Sequence, residues 1–250
     1  MRADGPRVDG HDHEPRASAP NPRSSLSLWD VHGGRPLEVK PEVLVAAGYT
    51  GRDQARVEEH INELAAAGIP RPEQVPAFYT VSPELLTRDA TTVCATTNSS
   101  GEVEPVLIIT GGSWWLGVGS DHTDRLLERK DVAESKRHGP KVLGTSVVPY
   151  ASVAARWDRL RLRSSADGKP YQDGGLVDLL PPDELLTLAA DSLGQRVPTL
   201  ILFMGTVPLL DGRFCFAREF CGELLDPEGG LTLRVRYRID PLTGGEDENR

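Results

Sequence analysis

The sequence is poor in cysteine: it has three, Cys94, Cys215 and Cys221, and none forms a CxxC pair. An odd count without paired spacing argues against a disulfide framework and reads as reduced thiols in a reducing compartment. No run of about 18 consecutive apolar residues occurs, so no helix is expected to cross a bilayer. The opening stretch, MRADGPRVDGHDHEPRASAPNPRSS, lacks the apolar segment of a signal peptide. The expected location is therefore cytoplasmic. Nucleotide binding has no handle, because neither GxGxxG nor GxxxxGK[ST] appears. A GxSxG elbow is missing too, which leaves a serine triad unsupported.

What is present describes a turn-rich globular chain. Its 250 residues are 38% hydrophobic and 26% charged, with 25 Gly and 20 Pro. That length suits one large or two small domains with a sizeable core. Lys and Arg number 28 against 37 Asp and Glu, a net charge of −9. Such a surface repels phosphate backbones, so nucleic acid is not an expected partner. The carboxylate excess leaves acidic side chains available for a hard cation.

Residues 1–25 are polar and too poor in apolar side chains to fold alone, and 243–250 form an acidic tail. His11 and His13 belong to the first tail. Between them, 26–242 read as a single mixed, mainly β domain. LSLWDV, PLEVK, EVLVAAGY, TTVCAT, EVEPVLIIT, WWLGVG, DRLRLRS, PTLILFMG, FCFAREF and LTLRVRYRI are strand candidates. In the last, Leu231, Leu233, Val235, Tyr237 and Ile239 alternate with polar residues, the period of a half-buried strand. DQARVEEHINELAAAG reads as a helix capped by Asp53, with Val57, Ile61 and Leu64 at helical spacing and Gly68 where it stops. PPDELLTLAADSLG reads as a second helix ending at Gly194.

Four patterns carry chemistry. Glu102 and Glu104 are two apart, so on a strand they share a face, with Val106 and Ile108 continuing it. Two carboxylates entering an interior call for a divalent cation. Asp121, in GVGSDHTDR, sits at a strand end where it completes an all-oxygen set suited to Mg²⁺ or Mn²⁺. Neighbouring His122 stands in no HExxH spacing, and Asp124 reads as a structural contact or helix cap. His60 and Glu63 lie on one helix face, where a carboxylate can fix an imidazole as a base. FMGTVP ends a strand in a Gly turn, with Gly205 and Thr206 placed to grip a carboxylate. Taken locally, each pattern also describes solvated side chains or an ordinary turn.

Their order adds information. GYTGRDQARVEEHINEL, PRPEQVPAFYTVSPELL, SGEVEPVLI, GVGSDHTDR, ESKRHGPKVLGTS and FMGTVP, in that sequence, resemble the fumarylacetoacetate hydrolase superfamily over roughly residues 40 to 240. The closest likeness is to an uncharacterised bacterial branch. The resemblance implies a mixed β-sandwich roll, a homodimer and a metal held by Glu102, Glu104 and Asp121. It matches His60 and Glu63 to the family's His-x-x-Glu pair and Lys136 to a lysine before a Gly-Pro element. It assigns Tyr79, Arg125, Gly205 and Thr206 to the substrate. Departures are Thr80 where lysine is common, S-D-H-T-D-R for the family's longer signature, and Val207 where proline stands. The implied activity is metal-dependent hydrolysis of a C–C bond in a small 2-oxo or 1,3-diketo carboxylate through a metal-bound enolate. Decarboxylation, tautomerisation or dehydration by the same chemistry, or a catalytically silent acid-binding member, are the alternatives.

Overall fold

The structure is a computed structural model that describes residues 25–66, 68–193 and 199–241. The two tails (Ser25 apart), the His11 and His13 pair and Gly194 lie outside the described residues. In chain order come β1 Leu26–Asp30, β2 Arg35–Val39, β3 Val43–Gly48, α1 Gln54–Ala66, β4 Ala77–Val81, β5 Leu86–Arg88 and β6 Thr92–Ala95. Then follow β7 Ser99–Ser100, β8 Val103–Thr110, β9 Ser113–Asp121, β10 Thr123–Asp124, α2 Arg125–Glu128, α3 Val132–His138, β11 Lys141–Leu143 and β12 Ser146–Pro149. The last are β13 Arg161–Ala166, β14 Lys169–Gly175, α4 Pro182–Leu193, β15 Thr199–Phe203, β16 Glu219–Asp226 and β17 Leu231–Pro241. The protein is mainly β, as the strand-rich sequence predicts.

One mixed sheet runs β2-β1-β12-β9-β8-β15-β3-β4, with β11 and β5 attached beside β9. A second, β14-β13-β16-β17-β6, packs against it. The alternation of β8 decides where the layers meet. Val103 and Leu107 point into the main core with Leu116, Val118, Leu224 and Val235. Val106 and Ile108 point the other way, into a second cluster with Leu44, Trp115 and Phe203. A sheet buried on both faces explains the nearly unbroken apolar run of β8 and β15.

Helix α1 begins and ends as its sequence dictates. Asp53 Oδ1 accepts from the Ala55 and Arg56 amides at 3.0 and 3.2 Å. Gly68 takes φ 90°, which lets the chain turn away. Ile61 alone of its side chains is buried, so the helix lies on the surface. Among the described residues no helix is long and apolar enough to cross a membrane.

FCFAREF is a correction. The strand there starts at Glu219, and Phe214 and Phe216 stay 43% and 53% exposed. Their alternation reflects a loop whose Phe214 ring takes the Arg125 guanidinium at 4.1 Å, not a pleated edge. Sequence reading also passed over β4, β5, β7, β10, β11, β12 and β14, which are short or, like KPYQDGG, rich in polar residues and glycine.

Candidate functional site

The site forms where the second face of β8 and β9 runs out of apolar side chains. Glu104 is paired with Gly119 across the ladder, and the Asp121 amide donates to Glu102 O at 3.0 Å, so the register carries Glu102 beside Asp121. On the far side of β9, Lys141 of β11 pairs directly with Asp121. A row Glu102–Asp121–Lys141 therefore crosses three strands on one face. Glu102, Glu104 and Asp121 each offer an oxygen, and these oxygens lie within 4.8 Å of one another. Glu102 and Glu104 share a face as their spacing predicts, and Asp121 joins them as the family resemblance implies.

Cations crowd this cluster. Lys141 Nζ stands 2.7 Å from Asp121 Oδ1, and Lys136 Nζ stands 2.8 Å from Oδ2 and 3.3 Å from Glu102 Oε2. Arg125 reaches Glu102 Oε1 at 3.0 Å and Glu128 at 2.9 Å, with its Nε donating to Ser100 Oγ. Burial alone would raise all three carboxyls. At Glu102 it is overcome by Arg125 and Lys136, and at Asp121 by Lys136 and Lys141, so both are held below the usual range. At Glu104 the charge of Lys136 is not enough. Burial, and then the charge of Asp121, lift its carboxyl well above the ordinary value. The Gly205 amide donates to its Oε2 at 2.9 Å. Burial would lower the Lys136 ammonium, but Asp121 and Glu102 raise it well above normal. Lys141 goes the other way, because burial outweighs its pairing with Asp121.

Behind the carboxylates lies a hydroxyl-rich support. His122 is buried between the Tyr237 hydroxyl on Nδ1 and Ser99 Oγ on Nε2, both at 2.9 Å. Burial, and then Arg125, push its imidazole down to about 4, so it is neutral at pH 7. This is a structural histidine, in keeping with its lack of metal-ligand spacing. Asp124 caps α2, accepting from the Leu126 and Leu127 amides at 2.9 Å. Gly139 passes so close to the His122 backbone that a Cβ there would sit 1.6 Å from its carbonyl oxygen. Gly139→Ala is expected to destabilise the protein by at least about 3 kcal/mol, measured by urea unfolding, because backbone rather than a side chain must move.

A cavity of about 820 Å³ opens over the cluster. Glu102, Glu104, Arg125 and Lys136 line its floor, Tyr79, Gly205 and Thr206 its sides, and His60 and Glu63 line it from α1. His60 Nδ1 lies 3.7 Å from Glu63 Oε2, with the side chains 60% and 71% exposed. Burial, and then nearby Tyr49, lift the Tyr79 phenol to about 12. The Thr206 hydroxyl is already committed: it donates to Val103 O at 2.7 Å and accepts from Gln172 Nε2 at 2.8 Å. Its hydroxyl thus fixes the loop. Gly205, at φ 90° and packed on the Thr50 hydroxyl, admits no side chain.

Two residues were missed in the sequence. Lys141, which is fully buried, was legible as a charge opening the apolar run KVL directly after Gly139-Pro140. Gln172 carried no local signal. Its amide also accepts from the Val103 amide at 3.0 Å and donates to Val207 O at 2.8 Å, tying the Gly205 loop to the base of β8.

This two-sheet roll is a fold shared with solved structures of fumarylacetoacetate-hydrolase type. Fumarylpyruvate hydrolase from Pseudomonas aeruginosa, solved with Mn²⁺ and pyruvate, superposes with a TM-score of 0.60 at 17% identity, covering 93% of this chain and 100% of that one. A yeast fumarylacetoacetate hydrolase family protein gives 0.58 at 14%, covering 84% and 97%. A 2-keto-3-deoxy-D-arabinonate dehydratase in its apo form gives 0.56 at 15%, covering 80% and 74%. No curated protein matches the sequence. Residues 47–237 match the family described as Protein of unknown function (DUF2848), and the chain belongs to that family.

Proposed function

We propose that this protein is a divalent-metal-dependent hydrolase that cleaves a C–C bond in a small 2-oxo or 1,3-diketo carboxylate. The observation carrying this reading is the convergence of Glu102, Glu104 and Asp121 within 4.8 Å beneath a cavity that His60 and Glu63 also line. The donor set fits a hard cation. It is all carboxylate oxygen, and burial with the charge of Asp121 leaves Glu104 less well compensated than Glu102 and Asp121, whose oxygens meet Arg125, Lys136 and Lys141. That favours Mg²⁺ or Mn²⁺ over Zn²⁺. The Pseudomonas structure, with its Mn²⁺ and 2-oxo acid, supports the same choice.

Glu102, Glu104 and Asp121 would hold the ion, which supplies Lewis acidity toward the oxygens of an oxo acid. The remaining work belongs to the chain. Glu63 orients the His60 imidazole, and His60 takes a proton from the water that attacks the distal carbonyl. As the C–C bond breaks, negative charge collects on the oxo-acid fragment, and the ammonium of Lys136 on the cavity floor offsets it. Arg125, held by Glu102 and Glu128, presents a fixed guanidinium to the substrate carboxylate. Tyr79 and the Gly205-Thr206 turn enclose it. A homodimer belongs to the same proposal and is read by light scattering.

The test pairs stability with turnover. Mn²⁺ at about 100 times its Kd is expected to stabilise the protein by about 2.7 kcal/mol, a rise in melting temperature of roughly 5–10 °C that EDTA reverses. Acylpyruvates or oxaloacetate should be consumed only with metal present. No stabilisation and no turnover across the panel would sink the proposal, whereas stabilisation without turnover favours a silent acid-binding member. The dehydratase that shares the fold supports one second reading, loss of water from an oxo acid.

A further inference from the structure

We propose that Lys136 is a tethered cation that a divalent ion has to displace, so that this one side chain sets how tightly the protein holds metal. The inference rests on the metal reading above and extends it to a residue outside the ligand set. Lys136 sits on α3, which Asp131 starts by accepting from the Glu134 amide at 2.9 Å. Its ammonium touches two of the three candidate ligands, Asp121 Oδ2 at 2.8 Å and Glu102 Oε2 at 3.3 Å. Thr123 Oγ1 accepts from it at 3.4 Å. A dication bound through Asp121 and Glu102 would draw on the oxygens that now face Nζ. A dication and the ammonium in contact with the same oxygens repel each other, and in a buried site that repulsion is weakly screened.

Which lysine gives way follows from how each is held. Lys141 enters along the strand register, is fully buried, and donates to Gly139 O at 2.8 Å. It has no open space to retreat into. Lys136 lines the cavity, and its flexible four-carbon stem can swing the ammonium from the carboxylates into that space. Asp121 keeps Lys141 on its other oxygen throughout. Lys136 and Lys141 counter the charge of Glu102 and Asp121, and a dication taking those oxygens would deliver an ammonium into the cavity where an anionic substrate arrives.

Isothermal titration of MnCl₂ into the wild type and Lys136→Met tests this without substrate. The variant is expected to bind Mn²⁺ at least about tenfold tighter, the coupling that loss of an internal competitor should release. Equal or weaker binding by the variant, with the wild type binding, overturns the inference and leaves the metal reading standing. Absence of Mn²⁺ binding by both proteins removes the two together. Should Lys136→Met fail to fold, acetylation of wild-type lysines with a water-soluble ester, read by mass spectrometry, answers the same question. Mn²⁺ is expected to raise labelling of Lys136 several-fold and to leave Lys141 protected. Labelling of Lys136 that stays constant or falls with Mn²⁺ refutes displacement.

Discussion

Glu104→Gln is expected to abolish the Mn²⁺-induced rise in melting temperature while leaving the metal-free protein at least as stable as the wild type. Both halves come from one environment. Glu104 is buried, faces the charge of Asp121, and has its carboxyl lifted well above the ordinary range. In the metal-free protein it is therefore held protonated past the pH at which an unfolded glutamate ionises. A neutral amide of the same shape keeps the hydrogen bond from the Gly205 amide but cannot act as an anionic ligand. Affinity for Mn²⁺ should fall by more than about a hundredfold, beyond what loss of an outer-shell contact causes. The pH dependence has a definite sign. Between the unfolded carboxyl value and the raised folded one, the native state binds the extra proton, so stability falls as pH rises. Glu104→Gln removes that slope. The two proteins should converge near pH 4 and separate toward neutrality, with the variant the more stable. A variant that loses stability at neutral pH and still binds Mn²⁺ would contradict the ligand assignment.

His60→Ala should separate hydrolysis from the other reactions that an oxo-acid site supports. Removal of a positioned base costs about 10²- to 10⁴-fold in rate. His60 is largely exposed and α1 buries only Ile61, so unfolding and Mn²⁺ binding should match the wild type. Glu63→Gln leaves the imidazole in place without its carboxylate and should lower the rate less than His60→Ala. The measurement is the rate of acylpyruvate cleavage at saturating Mn²⁺, with products identified by mass spectrometry. Undiminished cleavage removes His60 as the base. Surviving loss of CO₂ or water, with cleavage gone, would transfer the assignment to the lyase reading.

The parts of the site that were legible from spacing alone share one property: they are local. Glu102 and Glu104 are two apart, and His60 and Glu63 are three apart on a helix that Asp53 and Gly68 bound. Strand period and helix period fix such pairs wherever the element lies. Lys141 and Gln172 were not found, because their importance comes from what lies opposite them. Lys141 matters through its register with Asp121, and Gln172 through reaching from β14 to β8 and the Gly205 loop. FCFAREF failed for the complementary reason. Its aromatic alternation satisfies the pattern of a strand, but the ring of Phe214 settles on Arg125, a partner from α2.

By itself, then, the sequence determined a β-rich domain, the acidic surface and which carboxylates pair, since short-range spacing and composition govern each of these. Only the tertiary structure decided that Asp121 lies beside Glu102, that burial outweighs the nearby charge of Lys136 at Glu104, and that two lysines already answer Asp121. Those outcomes depend on burial and on strand neighbours many residues apart, and a charge acquires its chemistry from what desolvates it and what stands within a few ångströms.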